Sequence, residues 1–250
     1  MRVPLILVAI SMGLLAQAPP RPAAPRTGQA AAPIDLTGYW VSQIVDEWRF
    51  RVTPRKGDIE YLPINAEARK IALSWDPNQD IASGAQCKAY GAVGVMQRPG
   101  RLHVSWKDEN TLQIDADAGT QTRLLHFGQT PAPAPTLTGD PTWQGYSVAQ
   151  WQVRNPGRGA APAPPRDGSL KVVTTKMKPG YIRKNGVPYS ENAVLTEYLN
   201  ILTGQQGDVY LSVTASVEDP EYLNQPFLRT YIFKKAADAS GWDPTPCWPK

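Results

Sequence analysis

The stretch Pro141-Thr142-Trp143-Gln144-Gly145-Tyr146-Ser147-Val148-Ala149-Gln150-Trp151 decides how the chain is read. Two tryptophans, a tyrosine and a valine are spaced along it with small polar residues between, and Pro and Gly stand at its start. That is the signature of a strand entered through a turn, because aromatic and branched side chains suit a pleated surface while Pro and Gly punctuate it. The same alternation returns at Lys171-Val172-Val173-Thr174-Thr175 and at Val209, Leu211 and Val213, with turns at Asn185-Gly186-Val187-Pro188-Tyr189-Ser190 and Glu218-Asp219-Pro220.

Working outward, strands are expected over 36–42, 48–53, 101–107, 111–117, 121–127, 142–153, 169–177, 194–201, 209–217 and 227–234. The segment 192–202 tolerates a helix as well, but Gly204 to Asp208 then makes a turn into the next alternating run. One helix is expected over 65–75: Asn65 caps it, Glu67 suits its positive first turn, and Ala68, Ile71, Ala72 and Trp75 share a face. Asp76-Pro77 ends it, and 78–100 reads as loop. In the second strand, Trp48, Phe50 and Val52 alternate with Arg49 and Arg51, placing the two cations outward.

Composition agrees with this pattern. Twenty-five prolines, 20 glycines, 8 tryptophans and 10 tyrosines in 250 residues favour many short strands over long helices. About ten strands with mostly local connections hide their edges by closing. The expected fold is all-β, an up-and-down antiparallel lipocalin-like barrel or a strongly curved sheet, with one short helix. The net charge of +4 is spread among carboxylates and does not suggest a nucleic-acid partner.

Arg2 and the apolar run from Val3 to Leu15 have the form of a secretory signal, too short for a comfortable membrane span. Residues 1–18 are read as a signal peptide, 19–35 as a disordered Ala/Pro-rich linker, and 36–250 as one barrel domain with Pro-rich loops at 129–140 and 155–168. The expected destination is periplasmic or secreted. In an oxidising compartment the two cysteines, Cys87 and Cys247, are expected to pair and tie the C-terminal tail to the body.

The blocks quoted above also carry a resemblance. Gly38-Tyr39-Trp40 resembles the Gly-x-Trp signature of lipocalins and other calycins. The blocks 141–151, 169–175, 185–190, Thr196-Glu197 and Glu218-Asp219-Pro220 with Pro226 resemble a large family of exported, mostly uncharacterised bacterial proteins. The likeness spans most of residues 36–247. It implies a lipocalin-like barrel that handles a small molecule. Tyr189 stands where that family often has His, Tyr198 where Arg is common, and Gln152-Val153 replaces an acidic-Gly-Asp turn.

Candidate site residues follow from chemistry. His103 and His126 are the only histidines, and each is either a general base or a hydrogen-bonded sheet residue. Glu197 and Tyr189 add a carboxylate and a phenol as catalytic candidates. Trp143, Tyr146, Trp106 and Arg123 are the candidate ligand contacts. Ser147 lacks the Gly-x-Ser-x-Gly elbow of serine hydrolases. Asp115 and Asp117 share a strand face, but no tight ligand motif is present and no metal is expected. No cofactor and no nucleic acid are expected, the mature chain needs no membrane span, and the oligomeric state is left open. The leading expectation is binding of a small apolar or aromatic molecule. The alternative is a cofactor-independent lyase, isomerase or hydrolase working inside the barrel.

Overall fold

The computed structural model describes residues 26–45, 48–52, 54–128, 139–153 and 168–248. Eleven strands form: β1 Gly38–Gln43, β2 Arg101–Asp108, β3 Thr111–Ala116, β4 Gln121–His126, β5 Tyr146–Val153, β6 Gly168–Thr175, β7 Gly180–Arg183, β8 Val187–Tyr189, β9 Val194–Thr203, β10 Val209–Glu218 and β11 Phe227–Lys235. Nine of them close into a barrel in the order β1-β11-β10-β9-β6-β5-β4-β3-β2, while β7 and β8 make a separate hairpin. The all-β barrel expected from the pattern is present.

A closed ring of nine strands cannot alternate direction all the way round. The odd junction is β4–β5, which is parallel, with Leu125 opposite Ser147 and His126 opposite Val148; every other neighbouring pair is antiparallel. The antiparallel alternation of the ring is therefore broken at this one junction.

Period-2 alternation sends one set of side chains inward. Trp40 on β1, Leu125 on β4, Leu170 and Val172 on β6, and Leu211 and Val213 on β10 have no exposed surface. These side chains belong to one continuous apolar core in the barrel's interior.

One end is covered by the N-terminal segment. The Gly28 amide donates to Asn110 Oδ1, the Gly28 carbonyl accepts from Trp151 Nε1, and Gln29 N donates to the Glu109 carbonyl. Part of the stretch expected to be linker is therefore in place on the barrel, because Trp106, Phe127 and Trp151 form an aromatic rim there against which it packs. The signal-peptide segment, residues 19–25 of the linker and most of both Pro-rich loops lie outside the described residues.

The other end carries a cap. Helices α1 Trp48–Val52, α2 Ala66–Ser74, α3 Pro77–Ala82 and α4 Ala92–Val95, a 3-10 helix Gln86–Tyr90 and the β7–β8 hairpin gather there. The α2 helix matches its sequence: Asn65 Oδ1 accepts from Ala68 N at 2.9 Å, and Ala68 and Ala72 are fully buried. The stretch 78–100 is not plain loop. Asp76 and Pro77, which stop α2, also start α3, with Asp76 capping Asn78 N and Pro77 in the first turn.

The second expected strand is a correction. Residues 48–52 are helical, so the alternating face does not exist; Trp48 is 65 % exposed and Arg51 is 3 % exposed. The longer helical period turns Arg51 toward the barrel mouth, where Nε donates to the Gln97 carbonyl and Nη1 to the Gln43 carbonyl.

After β11 the chain runs back along the outside of β1 and β2. Trp242 packs edge-on against Tyr39 and His103, Thr245 N donates to the Asp117 carbonyl, and Cys247 bonds Cys87 on the 3-10 helix. The expected disulfide is present and fastens this strap to the cap. Among the described residues no helix is long and apolar enough to cross a membrane.

Candidate functional site

The residues singled out from the sequence fall in different places. His103 points outward from β2, stacked on Tyr39 at 4.3 Å, with Nδ1 3.9 Å from Asp115 Oδ2. His126 also points outward, stacked on Tyr146 at 4.8 Å. Burial draws its pKa below the usual histidine value, with Asp108 opposing and Lys107 adding. His103 lies level with Thr122 through β3, four residues along β4 from His126. At about 3.4 Å per residue they are offset by ~14 Å along the strands and by two strand spacings, about 10 Å, across them, and neither enters the barrel.

Glu197 and Arg123 do meet. Arg123 from β4 reaches across the barrel interior so that Nη1 donates to Glu197 Oε1 at 3.0 Å and Nη2 to Oε2 at 2.5 Å, with Thr174 Oγ1 at 3.4 Å from Nη2. Ser147 Oγ and Thr174 Oγ1 share a hydrogen bond of 2.8 Å beside them. Both charged groups are almost fully buried. Glu197 takes up both Nη groups while Arg123 Nε is left without a partner, so this layer is a structural link across the barrel.

Tyr189 is fully buried in the cap, and its hydroxyl has no hydrogen-bond partner among the described residues. It fits because two neighbours lack side chains: a Cβ on Gly91 would stand 2.8 Å from the phenol oxygen and one on Gly180 would stand 2.6 Å away. Burial pushes its pKa well above the tyrosine range. Trp143 lies at the cap end under Lys178, whereas Trp106 lies at the opposite rim. Of the eight non-cysteine candidates, the structure brings together Arg123 with Glu197 and His126 with Tyr146.

A different group forms a cleft. It measures about 350 Å³ on the outside of the cap and is lined by residues of α2, α3, the 3-10 helix and β7, among them Ile71, Trp75, Asp76, Gln79, Lys88 and Tyr181. That volume lies within the range of small-molecule pockets. Its walls are Trp75 and Tyr181, packed edge to face with centroids 6.2 Å apart.

One buried carboxylate organises these walls. Asp80 accepts from Trp75 Nε1 at 2.9 Å, from Lys88 Nζ at 2.9 Å and from Tyr181 Oη at 3.1 Å. Burial, followed by the charge of Asp80, drives the Tyr181 phenol above the tyrosine range, so it stays a donor. With indole, phenol and ammonium all held by one acceptor, the cleft is formed before anything enters it. Lys88 keeps about a third of its side chain exposed and has N–H donors to spare.

The β7–β8 turn supports the same wall. Gly186 has φ +82, and a Cβ there would lie 2.3 Å from Trp75 Cβ and Cγ. Only glycine suits both the left-handed backbone and the close approach. Cys87, next to Lys88, anchors the cleft's other side through the disulfide.

The sequence pattern puts Trp75 on the apolar face of a helix and Asp80 and Lys88 in a loop. The signal available was local: Asp76-Pro77 starting a second helix, whose own turn brings Asp80 back toward Trp75. Among the described residues no cluster of three or more His, Cys, Asp or Glu could hold a metal ion. A scan of family models, a search of curated proteins and a search of solved structures each return no match.

Proposed function

We propose that this chain is an exported, lipocalin-like binding protein for a small aromatic molecule, and that the ligand sits in the cap cleft and not in the barrel's middle. The observation that carries the reading is the wall pair Trp75 and Tyr181, fixed by Asp80 and facing an open cleft of about 350 Å³. A planar ring packs against the indole and phenol, and a hydrogen-bond acceptor on that ring meets Lys88. The disulfide supports a destination in the periplasm or outside the cell, as does the apolar N-terminal run.

Nothing in the placement of His103, His126, Glu197 and Tyr189 assembles a proton-transfer pair, so binding is the better reading than turnover. Fluorescence titration with a panel of aromatic acids, phenols and amides tests it. Saturable quenching that is lost in Trp75→Leu is expected. Titrations in which no compound saturates, or in which Trp75→Leu quenches as the native chain does, would remove the cleft as the site.

A further inference from the structure

The interior treats two arginines differently. Arg123 is buried against its own carboxylate, Glu197. Arg98, at the end of the small apolar run Ala92-Val93-Gly94-Val95-Met96, is just as deep at 4 % exposure. Yet its Nε and Nη2 have no hydrogen-bond partner, and among the described residues it makes no ion pair. The charged and titratable groups that act on it are Tyr90, Tyr231, Arg51 and Arg183, none of which is a carboxylate.

A second cation stands beside it. Gln97 Nε2 donates to the Ile182 carbonyl at 2.5 Å, so Arg98 and Lys184 stand one and two residues from the same contact, and the charge of Arg98 acts on Lys184. Lys184 is half-buried and also makes no ion pair among the described residues. Burial and the charge of Arg98 lower its pKa to about 8, and burial lowers that of Arg98 to about 10. Both cations therefore feel the lack of a counter-charge.

The two idle groups of Arg98 have a particular geometry. Nε and Nη2 lie along one edge of the guanidinium, the fork that grips two oxygens of an oxyanion side by side. Lys184, half-buried and close enough to feel the charge of Arg98, adds a rotatable donor. A buried cation without a partner destabilises the fold, and the chain has not replaced it by an apolar residue.

We propose that Arg98 and Lys184 form an oxyanion-binding site in the cap, which takes a phosphate, sulfate or carboxylate group, either free or at the end of a larger molecule. It is separate from the aromatic cleft and does not depend on that reading.

The test uses the full chain with inorganic phosphate, sulfate and acetate against chloride at equal ionic strength, read by thermal unfolding and calorimetric titration. At least one oxyanion should raise Tm in a saturable way where chloride does not. Lys184→Gln should weaken that binding about tenfold or more, and Arg98→Met should abolish it. In chloride, Arg98→Met should unfold at or above the native temperature, because it removes an uncompensated buried charge; if that variant fails to fold, Lys184→Gln decides. Oxyanions indistinguishable from chloride, or a response unchanged in Lys184→Gln, would overturn the site. Tighter binding of a phenyl phosphate or benzoate than of the inorganic ions would mark the group as part of a larger ligand.

Discussion

Arg123 on β4 and Glu197 on β9 grip each other through two N–H···O contacts inside the barrel, at 3.0 and 2.5 Å, three strands apart around the wall. Removing one partner leaves the other charged and buried. Glu197→Gln or Arg123→Met should each lose about 3–5 kcal/mol of stability. The double variant Arg123→Met/Glu197→Leu should recover most of that loss. Urea unfolding of the three variants measures it, and equal losses in all three would contradict a paired role.

The disulfide closes a sequence separation of 160 residues. In the chain-entropy picture such a loop contributes about 4–5 kcal/mol. Cys87→Ser/Cys247→Ser should lower Tm markedly. Because Cys87 adjoins Lys88 at the cleft, the variant should also bind an aromatic ligand several-fold more weakly at a temperature where it is still folded. Affinity equal to that of the native chain would separate the strap from the site.

Tyr189 fills space without a hydrogen bond. Tyr189→Phe should therefore change stability by less than about 1 kcal/mol. Gly91→Ala or Gly180→Ala should cost more, since each new methyl would press on the phenol oxygen. Thermal unfolding of the three variants gives the order.

Lys184 sets a pH dependence whose sign can be worked out. Its pKa is about 8 in the folded chain against 10.5 for an ordinary lysine. Between those values the unfolded chain holds the proton and the folded chain does not, so stability rises with pH across that window. The penalty for the charged amine is fully present below about pH 8. The difference in unfolding free energy between the native chain and Lys184→Met should therefore grow in favour of the native chain from pH 7.5 to 9.5. A flat difference would show that Lys184 is not perturbed.

Much of the barrel was legible because each inward strand repeats every second residue and the turns carry Gly, Pro and Asp. The register then follows from which face is apolar. The parallel β4–β5 junction was not legible, since alternation is the same whichever way a neighbour runs. Arg51 was misread because five residues are too few to tell a period of 2 from one of 3.6. The capped end resisted reading for a related reason: its helices are short, and Trp75, Asp80, Lys88 and Tyr181 are joined by tertiary contacts with no spacing rule. Arg123 and Glu197 were marked individually, but that they would consume each other depends on barrel closure.

The central claim is that an aromatic ligand occupies the cleft between Trp75 and Tyr181. The most direct measurement is a crystal structure of the full chain soaked with the best compound from the fluorescence panel. Density for the ring against Trp75 and Tyr181, with its acceptor on Lys88 Nζ, is the expected result; a ligand in the barrel or elsewhere on the surface, with that cleft empty, would contradict the account.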